Sequence, residues 1–432
     1  MRRSAWALRA AARVRPWPPL MATDHSELGI AMSPAVPAPG SRRTCQPRPL
    51  FVDQTAELGG AELSLRDIAR HYAATGKVVL FTTGPLVDAM AAVGVHAVHL
   101  NAPAAVLELR REAGLGASLA AVWGLGRLVL RLARLGTGYD LFYANTQKAF
   151  VASALAGLVA RRPVIWHLRD ILSPEHFSRS ILKLVRHLVR LPHVHVIANS
   201  HATARALLAL GGKGERLVTI HNGIDPRPWA PIDLATLARL RGELRLGDRP
   251  TIGVFGRLAE WKGQHILVEA LDELEDVQAL IVGEALFGEH AYRARLDTVI
   301  ERSGHADRIH LAGFRADVPA LMQLCDIVVH TSIAPEPFGR VIVEAMLAGR
   351  PVIAAAAGGA PEIVDDGRSG MLIPPGDPRA LAAAIRRLLD EPRLALQLAE
   401  AGRQRALERF GLDAALARID AYVAEVLAKG RA

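Results

Sequence analysis

The segment APEPFGRVIVEAMLAGRPVIA (334–354) carries two carboxylates, Glu336 and Glu344, with seven residues between them. Pro337 and Gly339 separate Glu336 from the apolar, helix-patterned run that holds Glu344. Those two residues place Glu336 in a loop and Glu344 in the second turn of a helix. The helix N-terminus then falls between the two carboxylates, offering unpaired N–H groups and the positive end of its dipole to an anion. A second stretch, FGRLAEWKG (255–263), sets Arg257 and Lys262 just past a predicted strand. Two cations there suit a diphosphate, whose charge they can neutralise in a partly buried cleft, although most such residues are plain surface cations. His167 follows the apolar run VIW and precedes Arg169 and Asp170. A histidine at a strand's carboxyl end faces a cleft more often than elsewhere, yet is structural about as often as functional. Gly59 and Gly60, in ELGGAE, open a predicted helix and let a phosphate or sugar approach the backbone. No G-x-G-x-x-G follows any predicted strand, which argues against a nicotinamide site. No D-x-D motif occurs either.

These groups need elements to hold them. At 432 residues, half of them hydrophobic and 22% charged, the chain can bury more than one core, and two domains are expected. No charge-free run of eighteen apolar residues is present, so no membrane-crossing helix is expected. Cys45 and Cys325 fit neither a disulfide framework nor a metal spacing. From residue 49 onward, short apolar runs alternate with helical patterns: PLFVD, KVVLF, DLFYAN, PVIWHL and VHVIANS in the first half. After HNGIDPRPWAP (221–231), with three prolines, the rhythm restarts with TIGVFG, QALIVGE, RIHLAG, DIVVHTS, RPVIA and GMLIPP. A β-then-α rhythm predicts parallel sheets covered by helices on both faces. The expected architecture is α/β, two doubly wound Rossmann-like domains facing a cleft. Ligands in such sheets bind beyond the carboxyl ends of the strands. The expected divisions are an N-terminal extension (1–45), a first domain (46–228), a second (229–412) and a final helix (413–432) that packs back across the domains. The Arg-, Ala- and Pro-rich extension has the composition of a transit peptide, and a true start at Met21 or Met32 explains it equally. It is left out of the fold and expected to be disordered.

Taken together, Glu336-Pro-Phe-Gly-Arg-Val-Ile-Val-Glu344, the GRL-x-x-x-KG segment, the HNGID turn and the ELGGAE loop resemble the retaining glycosyltransferases of the GT-B fold, family 4 (glycosyl transferases group 1), in the same chain order over residues 50–425. The resemblance implies roles. Glu344 would accept hydrogen bonds from the ribose of a nucleotide, and Glu336 would face the donor sugar, with the Phe338 and Gly339 amides nearby. Arg257 and Lys262 would hold the diphosphate and stabilise it as it leaves. Gly59 and Gly60 would approach it from across the cleft. His167 would meet the donor sugar, and the GFRADV segment, ending at Val318, would edge the nucleobase. His167, Arg257, Lys262 and Glu336 thus form the implied catalytic set. The implied co-substrate is a UDP- or GDP-sugar, with no cofactor and no metal, and the implied product is a glycan or glycolipid with retained configuration. A sugar-nucleotide epimerase or a sugar-nucleotide-binding protein shares this architecture and remains the competing reading.

Charge bears on where such an enzyme would work. Residues 46–228 carry a net +9 and residues 229–432 a net −5. The segment HFSRSILKLVRHLVRL (176–191) sets Arg179, Lys183, Arg186 and Arg190 against Ile181, Leu184, Val185 and Leu188. A basic amphipathic helix can lie on an anionic bilayer, and an ordinary domain helix with a solvated basic face has the same pattern. The expected partners are a nucleotide-sugar, a glycan or lipid-linked acceptor and an anionic membrane surface, with no nucleic acid. The expected location is cytoplasmic, peripheral on the inner face of the cell membrane.

Overall fold

A computed structural model describes residues 46–102, 119–175, 177–286 and 288–430. The N-terminal extension, with Cys45, lies outside them.

The first domain holds a seven-stranded parallel sheet. Its strands are β1 (Pro49–Asp53), β2 (Lys77–Leu80), β3 (Ala97–His99), β4 (Leu141–Ala144), β5 (Val164–Leu168), β6 (Val194–Ala198) and β7 (Leu217–Thr219), in the order β3-β2-β1-β4-β5-β6-β7. The second domain repeats the plan with β8 (Thr251–Phe255), β9 (Gln278–Val282), β10 (Ile309–Gly313), β11 (Ile327–His330), β12 (Val352–Ala355) and β13 (Met371–Ile373), ordered β10-β9-β8-β11-β12-β13 and parallel throughout. Strands β1, β5, β6, β8 and β9 are buried along their whole length because helices cover both faces of each sheet. Each sheet therefore has two cores, one per face.

Both sheets reverse strand order in their middles, at β1/β4 and β8/β11, and a crevice opens beyond the carboxyl ends there. Asp53, Asn145 and His167 stand at the ends of β1, β4 and β5 in one domain; Arg257 and His330 stand at the ends of β8 and β11 in the other.

The segment 221–231, read as a linker, is the crossing point between domains, but it is packed rather than loose. Asn222 is buried, and Ile224 and Trp229 belong to a core of the second domain. The chain recrosses at Gly411: Ile224 N–H donates to Phe410 C=O (2.9 Å) and Leu412 N–H donates to Ile224 C=O (3.1 Å). The last helix, Leu412–Lys429, then buries Leu412, Leu416, Ile419, Val423 and Val426 in the core of the first domain.

Helix Arg179–Leu188 corrects one expectation. Its buried residues are Leu182, Val185 and Leu188, while Leu184, assigned to the apolar face, is 43% exposed. Its apolar stripe serves the core of the first domain and is not free to enter a bilayer.

Candidate functional site

The helix carrying Glu344 runs Arg340–Leu347, so Glu336 sits in the loop ahead of it. Gly339 starts the helix in the left-handed region (φ 99), which a β-carbon would make costly. Gly358 allows a second close approach. A β-carbon there would lie 2.0 Å from Glu336 C=O, and Gly359 N–H donates to that same carbonyl (2.7 Å). The GGAPE turn thus fixes the backbone of Glu336.

Its side chain is fixed as tightly. Lys262 Nζ lies 2.5 Å from Oε1, His330 Nε2 lies 2.5 Å from Oε2, and Ser332 Oγ donates to Oε2 (3.0 Å). Burial alone would raise the carboxyl's pKa, but Lys262 and His330 outweigh it and hold the group well below the usual carboxylate range. Glu336 is therefore ionised across the physiological range.

The sign of that shift has a consequence for stability. A depressed carboxylate contributes stability above its ordinary value of 4.5, and this is lost as pH falls below it. On acidification from about pH 5 to about pH 3, wild type should lose more melting temperature than Glu336→Gln. Asp53 and Glu62 shift the other way but are common to both proteins, so their contributions cancel in the comparison. Parallel melting curves across that range would contradict the assignment.

Lys262 ends a single 3-10 turn, Glu260–Lys262, after β8. Its ammonium lies 4.4 Å from the centre of the Trp261 ring, and the Arg257 guanidinium lies 5.8 Å from the same centre. Trp261 thus gathers both cations at one end of β8. Thr331 Oγ1 donates to Lys262 C=O (2.9 Å), stitching the β8 and β11 loops together.

Glu344 is half-buried and already paired. Arg340 Nε donates to its Oε1 at 2.6 Å, and the same guanidinium reaches Ser64 Oγ (3.2 Å) and Asp67 (3.7 Å) in the first domain. A β-carbon on Gly60 would stand 4.0 Å from Arg340 Cδ, so the Gly59-Gly60 loop faces the first turn of the Arg340 helix across the cleft. A second interdomain clasp forms at Glu362. Its carboxylate accepts from the N–H groups of His201 and Ala202 (both 2.8 Å) and meets His221 Nε2 at 2.9 Å. His201, His221 and Glu362 have ligand atoms within 4.8 Å of one another, but the carboxylate already caps helix His201–Ala209 from the other domain.

On the first-domain side, His167 is buried. Tyr143 O–H (2.6 Å) and Arg169 Nη2 (3.2 Å) both point at its Nδ1. Burial, then the Arg169 charge, lowers its pKa well below the ordinary value, so the ring is neutral with Nδ1 accepting. Nε2 has no partner. Arg169 also donates to Asn145 Oδ1 (2.7 Å) and Asn222 Oδ1 (2.6 Å), and Asn145 donates to Asp53 Oδ2 (2.7 Å). Burial pushes Asp53 up to about 6 and Glu62 up to about 7, the latter with help from the neighbouring Asp53 charge.

The structure therefore brings together Lys262, Glu336 and the backbone of Phe338 and Gly339, with Arg257 sharing Trp261, and sets Gly59, Gly60 and Glu344 across from one another through Arg340. Among the described residues, the hydrogen-bond partners of His167 are Tyr143 and Arg169 and not members of that cluster. His167 lines a small cavity with Ser64, His221, Asn222 and the last helix. Val318 opens helix Val318–Leu324 after edge strand β10, separated from β11 by β9 and β8. Sequence reading missed His330, Ser332 and Arg340. A polar residue ending the apolar run DIVV was the available signal for His330, and the i,i+4 spacing to Glu344 was the signal for Arg340.

Comparisons with known proteins place the chain in a family. Residues 58–227 match the model for Glycosyltransferase Family 4, and residues 239–405 match the model for Glycosyl transferases group 1. The chain is 32% identical over 238 residues to a 2-deoxystreptamine glucosyltransferase of Streptomyces kanamyceticus, covering 53% of this chain and 60% of that protein. It is 33% identical over 211 residues to a GDP-mannose-dependent alpha-(1-6)-phosphatidylinositol monomannoside mannosyltransferase of Mycolicibacterium smegmatis, covering 46% and 54%. The matched part thus spans about half the length of these curated relatives. Anabaena HepE, crystallised with UDP-glucose, is 39% identical with a TM-score of 0.80, over 88% of this chain and all of that one. The chain belongs to the GT-B glycosyltransferases of family 4.

Proposed function

We propose that this protein transfers a glycosyl group from a nucleoside-diphosphate sugar to a hydroxyl of a glycan or lipid-linked acceptor, with retained configuration and no essential metal. The observation that carries the reading is the buried cluster of Lys262, His330 and Ser332 on Glu336, at the N-terminus of the Arg340 helix and facing the Gly59-Gly60 loop. A UDP-sugar is the favoured donor, supported by the UDP-glucose bound to Anabaena HepE.

In the reaction, the bond from the anomeric carbon to the diphosphate oxygen breaks and the acceptor oxygen bonds to that carbon on the same face. The acceptor's proton passes to the departing phosphate. Negative charge grows on the diphosphate, and groups already in place to meet it act most strongly in the transition state. Arg257, Lys262 and the helix N-terminus are those groups. Glu336 has both oxygens engaged, so it positions the sugar rather than attacking it. Arg340 holds Glu344 until ribose hydroxyls compete for the carboxylate.

Release of free nucleoside diphosphate, measured with and without an alcohol acceptor, separates transfer from epimerisation. Release should require acceptor and should persist in EDTA, because cations occupy the place of a metal. An absolute need for Mg²⁺ or Mn²⁺ would overturn the metal-free diphosphate site. Epimerised donor without release would overturn transfer.

A further inference from the structure

One outer face of the first domain carries apolar side chains that its core does not use. Helices Leu119–Gly136, Gln147–Ala160 and Arg179–Leu188 pack side by side on one face of the first sheet. Of eleven large hydrophobic residues exposed among the described residues, seven lie on these three helices. On the first helix, Val122, Trp123, Leu130 and Leu135 face solvent, with Trp123 70% and Leu130 51% exposed. Arg127, Arg131 and Arg134 are exposed among them. Steps of four, three and four lead from Trp123 through Arg127 and Leu130 to Arg134, so these residues share one side of the helix. Leu158 and Val159 extend the apolar surface on the second helix, and Leu184 on the third. None of the three helices contains an aspartate or glutamate.

A face that is both apolar and uniformly cationic narrows the choice of occupant. A second copy of the chain would bring like charge against like charge. A nucleic acid would use the arginines and leave the leucines in water. An anionic phospholipid surface uses both, since Trp and Arg side chains sit at headgroup level with their apolar parts inward.

We propose that this face docks on an anionic phospholipid bilayer, with Trp123 and Leu130 entering the interfacial layer and Arg127, Arg131 and Arg134 pairing with headgroup phosphates. A groove lined by Asn101, Gly124, Arg127, Leu128 and Arg131 is placed to receive one phosphate. The docking element is thus helix Leu119–Gly136, and the basic helix Arg179–Leu188 only adds charge beside it.

Orientation follows from topology. The helix leads from β3 into β4 in a parallel sheet, so its N-terminal end lies at the carboxyl edge, where the cleft opens. Its 18 residues span about 27 Å, against roughly 13 Å for the four residues of β4. Gly136, at the far end of the helix, lies against the Phe142 ring of β4, so the excess length, with Trp123, falls on the cleft side. Docking sets the cleft mouth against the lipid surface, where a lipid-borne hydroxyl would be presented. This last consequence rests on the proposed transfer reaction; the docking itself does not.

The test is flotation of the full chain with vesicles of phosphatidylcholine alone or mixed with phosphatidylglycerol, at low and at physiological salt. Binding should require phosphatidylglycerol and weaken with salt, because exposed charges are screened beyond roughly 8 Å at physiological ionic strength. Each arginine near such a surface is worth about five-fold, so Arg127→Glu, Arg131→Glu and Arg134→Glu together should weaken binding on the order of 100-fold or more. Trp123→Ser with Leu130→Ser should weaken it about ten-fold. Arg179→Glu with Lys183→Glu should cost less than the triple change per charge reversed. Each variant should transfer the glycosyl group to a water-soluble acceptor, with release of nucleoside diphosphate, at the wild-type rate, which separates a failure of docking from a failure of the transfer reading. No binding to anionic vesicles at low salt, equal binding to neutral vesicles, or indifference to the Trp123 and Leu130 changes would overturn the proposal.

Discussion

Lys262→Ala lowers turnover by about 30- to 1000-fold, the rate equivalent of losing one preorganised charge worth about 2–4 kcal/mol in the transition state. Lys262 Nζ is held by Glu336 on one side and the Trp261 ring on the other, so it does not reorganise when the diphosphate charge develops. That is the condition under which a cation lowers a barrier rather than merely tightening binding. The loss should appear in kcat, with the fold retained by circular dichroism. Near-normal turnover would remove Lys262 from the reaction.

Glu336→Gln produces a loss of similar size for a different reason. The amide keeps the shape but cannot balance Lys262, and its NH₂ end either opposes Lys262 or requires His330 Nε2 to accept. Removing one partner of a buried pair also leaves the other uncompensated, at about 3–5 kcal/mol of stability when burial is complete. Lys262 and Glu336 side chains are 15% and 11% exposed, so the penalty here should be smaller. The double variant Lys262→Met with Glu336→Gln distinguishes the two roles. It should melt above the less stable single variant, yet transfer no faster than Lys262→Ala. Recovery of turnover in the double variant would mean that the pair serves only the fold.

Much of the architecture was readable in the chain. Parallel strands covered on both faces need unbroken apolar runs, and PLFVD, VIWHL, TIGVF and QALIV are such runs, so eleven of the strands stand where those runs predicted. The two missed strands, β3 and β7, are three-residue edges that are only partly buried and carry little pattern. The loop position of Glu336 followed from Pro337 and Gly339, because backbone chemistry is local. What escaped was tertiary. Nothing within 334–354 shows that Lys262, 74 residues upstream, would lie on Glu336, or that Arg340 would reach Ser64 across the cleft. His167 stands near the end of β5, as its run predicted, but that Tyr143 and Arg169 would meet its Nδ1 is not written in the local sequence. The helix Leu119–Gly136 shows why pattern alone is not enough: in a chain that is half hydrophobic, which leucines stay outside is decided by what packs against them.

Transfer with retention leaves its mark in the configuration of the product. UDP-glucose labelled with ¹³C at the anomeric carbon, an alcohol acceptor and EDTA would be followed by NMR in the presence of the enzyme. Retention gives an α-glucoside formed in step with UDP, more slowly in the Lys262 and Glu336 variants. A β-glucoside, or a relabelled sugar nucleotide with no free UDP, would contradict it.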